Sequence, residues 1–225
     1  MNPTLRNSAA HVFVSNLDAP ALSDEDSHHL SRVLRLRSGE TVTISDGAGA
    51  WRTATFSDHA LIPMGDVQCD NPRGLARIAF VPLKGDRSEL IVQKATEIGV
   101  SEIVVMAPTA RSVVKWDDTK FANEVARFKK IARESSMQSR RTFLPVISGP
   151  LSIAEVARAG FVLAEPSGNN GEVCDSIAVG PEGGFSDEEV ALFDRRVNLG
   201  STILRAETAG IVAAVRVTDA VVMRG

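Results

Sequence analysis

From Arg77 onward the chain alternates short apolar runs with helix-length amphipathic stretches, and that alternation leaves few folds open. Arg77–Pro82, Glu102–Met106, Pro145–Ile147, Phe161–Ala164, Ile177–Val179 and Val197–Leu199 read as strands. Between them, helices are expected over Ser88–Ile98, Asp117–Met137 and Ser152–Ala159, after Ser186, and from Glu207. Strand then helix, repeated, means a mostly parallel sheet covered by helices. The last helix is apolar nearly all round, so it belongs in the core or in a subunit interface.

The first seventy residues follow a different pattern. Short β-like runs at His11–Val14, Thr41–Ser45 and Trp51–Phe56, separated by glycine turns, suggest a small β-barrel. Ser23 opens a short helix that sets His28, His29, Leu30, Val33 and Leu34 at helical spacing and runs into Arg32, Arg35 and Arg37. The stretch from Cys69 to Gly74 has turn formers and no apolar period, which places a domain boundary near Arg73, dividing the chain into 1–73 and 74–225.

At 225 residues and 44% hydrophobic content, burying a core is not a problem. No run of about 18 apolar residues occurs and the N-terminus lacks a basic segment followed by an apolar one, so neither a membrane span nor a signal peptide is indicated and a cytoplasmic protein is expected. The two cysteines, Cys69 and Cys174, are too few for a disulfide framework and read as small buried hydrophobes. His28 and His29 point about 100 degrees apart on a helix, and His11 and His59 have no evident partners, so no metal site is expected. No nucleophile-elbow sequence occurs that would suggest a serine hydrolase.

Net charge is −3 but unevenly spread: −3 over residues 1–74, +5 over 75–150 and −5 over 151–225. The basic middle is where a polyanion could dock. Its helix carries Lys120, Arg127, Lys129, Lys130 and Arg133 and continues into Gln138, Ser139, Arg140 and Arg141. A charge run on a helix is often only a wet face. Here it extends into a Gln/Ser/Arg loop, whose groups suit phosphates and unpaired bases. Lys84, with Gly85, Asp86 and Arg87, and then Arg111 follow strands at their carboxyl ends, where open α/β sheets place ligands. Lys94 and Glu97 lie one turn apart, either part of that site or a solvated pair.

Two glycine turns stand out near the C-terminus: GPEGGFS at 180–186 and LGSTILRAETA at 199–209. Ser186 and Glu189 match a capping box. Asp187, Glu188 and Glu189 already meet the positive end of that helix, which argues against a phosphate there, and Pro181 removes an amide from any phosphate cradle. A neutral or cationic ligand with a flat ring fits better. The alternative is a tight strand-to-helix connection with no ligand.

These motifs, with HHLSRVLRLRSG at 28–39, KGDR at 84–87, QKATEIGVSEI at 93–103, Arg111-Ser112 and ESSMQSRR at 134–141, occur in family order. The chain resembles the small-subunit (16S) ribosomal RNA uracil-N3 methyltransferase family of the SPOUT class. The resemblance implies an α/β protein: an N-terminal PUA-like β-barrel that grips RNA, followed by a SPOUT α/β domain with a C-terminal trefoil knot, acting as a homodimer on 16S ribosomal RNA within the small subunit. It implies S-adenosylmethionine held by Leu163, Ala164, Glu165 and Pro166, by Gly180, Pro181, Glu182, Gly183 and Gly184, and by Leu199, Gly200, Ile203, Leu204 and Arg205. RNA contacts would come from Arg32, Arg35, Lys84, Lys94, Arg111, Gln138, Ser139 and Arg140. Arg205 is expected to stabilise the uridinate or its phosphate, with Glu207 orienting that arginine, or acting only as a helix cap.

The chain departs from the family pattern at Ala206, where threonine is common, and at Arg140, where glycine is common. Its first ten residues run longer than the usual start, and the sequence leaves open whether they are ordered. A SPOUT methyltransferase of other RNA specificity and a non-catalytic RNA-binding module remain as alternatives.

Overall fold

In the computed structural model, residues 2–72 and 74–224 are described; Arg73, at the expected boundary, lies outside them. The chain forms two compact units. The first comprises residues up to Pro72 together with Ser136–Leu144, and the second 74–135 and 145–224.

In the first unit, β1 (His11–Phe13) pairs in parallel with β2 (Thr41–Ser45), which pairs antiparallel with β3 (Ala50–Ser57), which pairs antiparallel with β4 (Ala60–Cys69). The result is a four-stranded sheet in the order β1-β2-β3-β4, with β1 and β4 at its edges. Val12, Leu30, Val42, Ile44, Ala54, Phe56 and Leu61 form its core, with Met137 packed among them. The described N-terminal residues, from Asn2 on, carry regular structure. Helix α1 (Pro3–Asn7) is capped by Asn2, whose side chain accepts from the Thr4 amide, and it buries Leu5. Pro3 at the first helical position fits the helix start, where no amide is needed.

Residues 136–144 belong to this unit because their polar groups are satisfied there. The ring of His11 lies 2.9 Å from the Arg141 carbonyl, Ser45 Oγ donates to the Thr142 carbonyl at 3.0 Å, and Thr142 Oγ1 donates to Asp70 Oδ2 at 2.7 Å. Helix period and charge gave no sign of this return, so a simple 1–73 and 74–225 division is incomplete.

Helix α2 (Asp24–His28) passes into a π-helical turn over His29–Val33. Leu30 is fully buried, whereas Val33 and Leu34 are exposed together with Arg32, Arg35 and Arg37.

The second unit is a six-stranded, all-parallel sheet. Its strands are β5 (Arg77–Phe80), β6 (Glu102–Met106), β7 (Val146–Leu151), β8 (Val162–Asn169), β9 (Ser176–Val179) and β10 (Arg196–Val197), in the order β10-β8-β9-β5-β6-β7. The helices are α3 (Arg87–Ile98), α4 (Asp118–Gln138), α5 (Ile153–Arg158), α6 (Asp187–Val190) and α7 (Ala206–Arg224). The central strands are apolar on both faces: Ile78 and Phe80 contribute to one cluster with Ile91, Ala213, Ala214 and Val217, and Ala79 and Val81 to another with Leu163 and Phe185. Buried, continuous apolar strands are what a helix-covered parallel sheet requires. Of the cysteines, Cys174 is buried and Cys69 is exposed at the end of an edge strand.

Candidate functional site

Beside the middle of β8 and at the carboxyl ends of β9 and β10, three chain segments line a cavity of about 530 Å³. Ala164–Pro166 come from β8, Gly180–Phe185 from the turn after β9, and Asn198–Gly200 with Thr202–Arg205 from the loop after β10; Ala206, Glu207 and Ala209 of α7 complete the wall. Open parallel sheets bind ligands at this edge because successive loops converge there.

The turn after β9 is tight. Gly184 has φ +67°, a conformation that glycine adopts without the cost of a Cβ, and its amide donates to the Pro181 carbonyl at 2.9 Å. At Gly183 a Cβ would lie 2.9 Å from the Arg111 carbonyl oxygen, so a side chain there would push the two loops apart. The capping box forms as read: Ser186 Oγ accepts from the Glu189 amide, and Glu189 Oε2 accepts from the Ser186 amide at 2.8 Å. Glu189 Oε1 also accepts from the Ala110 amide at 2.8 Å, fastening the Arg111 loop to the glycine turn.

Neighbouring groups fix the walls. Glu182 Oε1 accepts from the Lys84 amide and from Arg87 Nη1, both at 3.2 Å, so the Lys84–Arg87 loop and the glycine turn hold each other. Asn198 donates from Nδ2 to the Pro166 carbonyl and accepts at Oδ1 from the Gly200 amide, both at 2.9 Å. One side chain thus ties the Ala164–Pro166 wall to the start of the 199–205 loop. The three carboxylates that open α6 leave a negative helix start. Glu188 is held below the usual range by its own backbone amide and the Ser186 hydroxyl, with Arg111 nearby.

Thirteen of the fourteen residues assigned to the cofactor on resemblance line this cavity. The exception is Leu163, which is fully buried among Ala178, Phe185 and Phe193 and supports the wall from behind. Arg205 and Glu207 both line the cavity, but no hydrogen bond or ion pair joins them among the described residues. Arg87, Phe185, Asn198 and Thr202 also line it and were not read as site residues. The KGDR motif contained Arg87, while Asn198 sits in a loop with no periodic signal.

The residues assigned to RNA divide between the units. Arg32 and Arg35 are exposed in the first, as is Gln138, with Ser139 and Arg140 partly buried. Arg140 is committed elsewhere. Its Nη2 donates to the Ser8 carbonyl at 3.0 Å and the Ala9 carbonyl at 3.4 Å, its φ is +59°, and burial lowers its pKa, so it fastens the return loop rather than presenting a free cation. In the second unit Lys84 and Arg111 are exposed, whereas Lys94 Nζ holds both Glu97 oxygens at 2.9 Å, the solvated pair. Part of the α4 charge is likewise internal, through Lys120–Glu124 at 2.6 Å and Arg127–Glu89 at 2.8 Å.

A family of RNA methyltransferase domains matches residues 70–218, and an RNA methyltransferase PUA domain matches 22–59. Ribosomal RNA small subunit methyltransferase E of Mycobacterium bovis is 30% identical over 221 residues, 84% of this chain and 82% of the relative. The chain belongs to this methyltransferase family. The Bacillus subtilis enzyme of the same name is 28% identical over 87% of this chain and 89% of its own. A methyltransferase from Legionella pneumophila, solved with bound cofactor SAM, superposes with a TM-score of 0.80 at 27% identity, covering 93% of this chain and 97% of its own. In this methyltransferase the matched RNA methyltransferase domain contains every residue of the cavity, and the PUA match contains Arg32 and Arg35. Among the described residues no helix is long and apolar enough to cross a membrane.

Proposed function

We propose that this protein transfers a methyl group from S-adenosylmethionine to N3 of a uridine in 16S ribosomal RNA, as a cytoplasmic homodimer whose cofactor loops form a C-terminal trefoil knot. The observation that carries the reading is the cavity. Its wall is mainly backbone and apolar side chains, with Glu165, Glu182 and Glu207 as carboxylates, Arg87 and Arg205 as cations, and an acidic helix start beside it. The carboxylates outnumber the cations, and with the acidic helix start they favour a cationic ligand with an aromatic ring over a phosphate. The buried, unpartnered Oε2 of Glu207 is a second mark of fit, being an acceptor that a ligand N–H or O–H can satisfy. The RNA methyltransferase family and the Legionella neighbour with SAM support the same assignment.

The bound cofactor supplies an activated methyl sulfonium, so the protein's task is largely to hold the base in line. The nucleophile is harder to provide. With uridine N3–H losing its proton roughly two pH units above neutrality, exposing the anion at pH 7 costs about 3 kcal/mol. Arg205, at the cavity wall and exposed, is the cation placed to stabilise charge on the uracil oxygens. Arg32, Arg35, Gln138 and Ser139 of the first unit, with Lys84 and Arg111 of the second, contact the RNA backbone. The target base is unpaired or flipped when it reacts.

Mass spectrometry of 16S ribosomal RNA from cells lacking the gene tests the reading. Loss of one N3-methyluridine, restored by the wild-type gene, is the expected result. An unchanged modification profile removes the uridine assignment.

A further inference from the structure

Glu207 lies in the first turn of α7 and lines the cavity, and its Oε2 is buried without a hydrogen-bond partner. A buried acceptor left unpaired destabilises the free fold, because it has given up water and gained nothing in return. Two other carboxylates around the site are engaged, Glu182 with Lys84 and Arg87, and Glu189 with Ser186 and Ala110; Glu165, also in the wall, has a side chain that is not among the buried unpaired atoms. Arg205, two residues before Glu207, makes no bond to it among the described residues. A cap or an arginine-orienting role would satisfy this oxygen within the protein, and the structure has neither bond.

We propose that Glu207 accepts a hydrogen bond from an N–H or O–H donor carried by the cofactor, which makes it a cofactor-recognition residue rather than a structural cap. The proposal rests on the cofactor reading above. Two parts of that cofactor carry donors: the ammonium of the amino-acid end, and the hydroxyls and amine of the adenosine end. The free protein bears the cost of the unpaired oxygen and regains it on binding, so ligand affinity gains at the expense of the free fold.

The test measures calorimetric affinity and thermal unfolding of wild type, Glu207→Gln and Glu207→Ala with S-adenosylmethionine, S-adenosylhomocysteine and 5′-methylthioadenosine, which lacks the amino-acid end. Without ligand, both variants are expected to unfold at or above the wild-type temperature, because the unpaired buried carboxylate oxygen is gone. With S-adenosylmethionine, affinity is expected to fall about tenfold or more, a loss of about 1.4 kcal/mol. A loss for S-adenosylhomocysteine but not for 5′-methylthioadenosine identifies the ammonium as the donor, and an equal loss for both identifies the adenosine end; either supports the proposal. Unchanged affinity for all three ligands overturns it. So does a lowered unfolding temperature of the free variants with affinity intact, which is the behaviour of a helix cap. Wild-type protein that binds none of the three ligands removes the cofactor reading itself, and this proposal with it.

Discussion

His11 Nε2 lies 2.9 Å from the main-chain carbonyl of Arg141, a residue 130 positions away, while His11 Nδ1 lies 2.9 Å from Thr43 Oγ1. A neutral ring satisfies both, with Nε2–H donating to the carbonyl and Nδ1 accepting from the threonine hydroxyl. The imidazole therefore joins β1, β2 and the return loop as a neutral strut within the first unit.

Burial pushes the His11 pKa down to about 4 from an ordinary 6.5; the Arg141 carbonyl opposes that shift and the Arg140 charge adds to it. In the unfolded chain the ring takes up its proton near pH 6.5, so between pH 6.5 and about 4 the unfolded state binds more protons. The stabilisation is complete above pH 6.5 and is lost as the pH falls through that window. Between pH 7 and 4.5 this amounts to about 2 kcal/mol. Urea unfolding followed by Trp51, which is buried in the same unit, in a Trp116→Phe background, is expected to show that extra loss in wild type relative to His11→Gln. Equal pH slopes in the two proteins remove the strut.

Arg140 has a φ of +59°, so the turn it occupies needs the left-handed region that glycine adopts most readily. This chain tolerates the strain because the guanidinium is fastened to the Ser8 and Ala9 carbonyls. Arg140→Ala keeps the strain and loses the bonds, whereas Arg140→Gly loses the bonds and relieves the strain. The expected order of stability is wild type, then Arg140→Gly, then Arg140→Ala, with about 1 kcal/mol between the two variants. An alanine variant as stable as the glycine variant contradicts the backbone argument.

The parts of the fold that were legible are those whose signal is local. The apolar runs fixed β6 at Glu102–Met106 and placed α3 and α4 within one residue of their observed ends, and the capping box of α6 was plain from Ser186 and Glu189. Strand β4 was missed because Pro63, Gly65 and Asp66 interrupt its pattern, although backbone pairing with β3 carries it through. The return of 136–144 to the first unit could not be read, since it depends on single hydrogen bonds spanning up to 130 residues. The cavity wall followed from the glycine motifs through the resemblance. The role of Asn198 did not, because a side chain that bonds loop backbone leaves no periodic trace.

Asn198 offers a sharp test of that wall. Asn198→Ala removes the bonds to the Pro166 carbonyl and the Gly200 amide and leaves both edges of the cavity free to part. The expected result is an affinity for S-adenosylmethionine reduced about tenfold to a hundredfold, with a loss of fold stability of only about 1–2 kcal/mol. Asn198→Asp keeps an acceptor for Gly200 but sets a carboxylate against a carbonyl, so it is expected to be no better than alanine. Calorimetry that returns wild-type affinity for either variant shows that the walls hold without this tie.

Arg205 is exposed at the cavity wall and has no ion-pair partner among the described residues, so its charge is available to a substrate. If it stabilises the uridine anion, Arg205→Ala is expected to lower kcat by about a hundredfold to a thousandfold while the cofactor Kd changes less than about twofold. The pH dependence separates this role from simple RNA attachment. A cation beside the uracil oxygens lowers the pH at which N3 ionises, so without it the rate climbs with pH until the unaided base ionises on its own. The gap between wild type and variant therefore narrows above about pH 9, and Arg205→Lys recovers part of the rate at neutral pH. An arginine that only bound phosphate would raise KM, give a gap that does not change with pH, and lose its effect as salt is added.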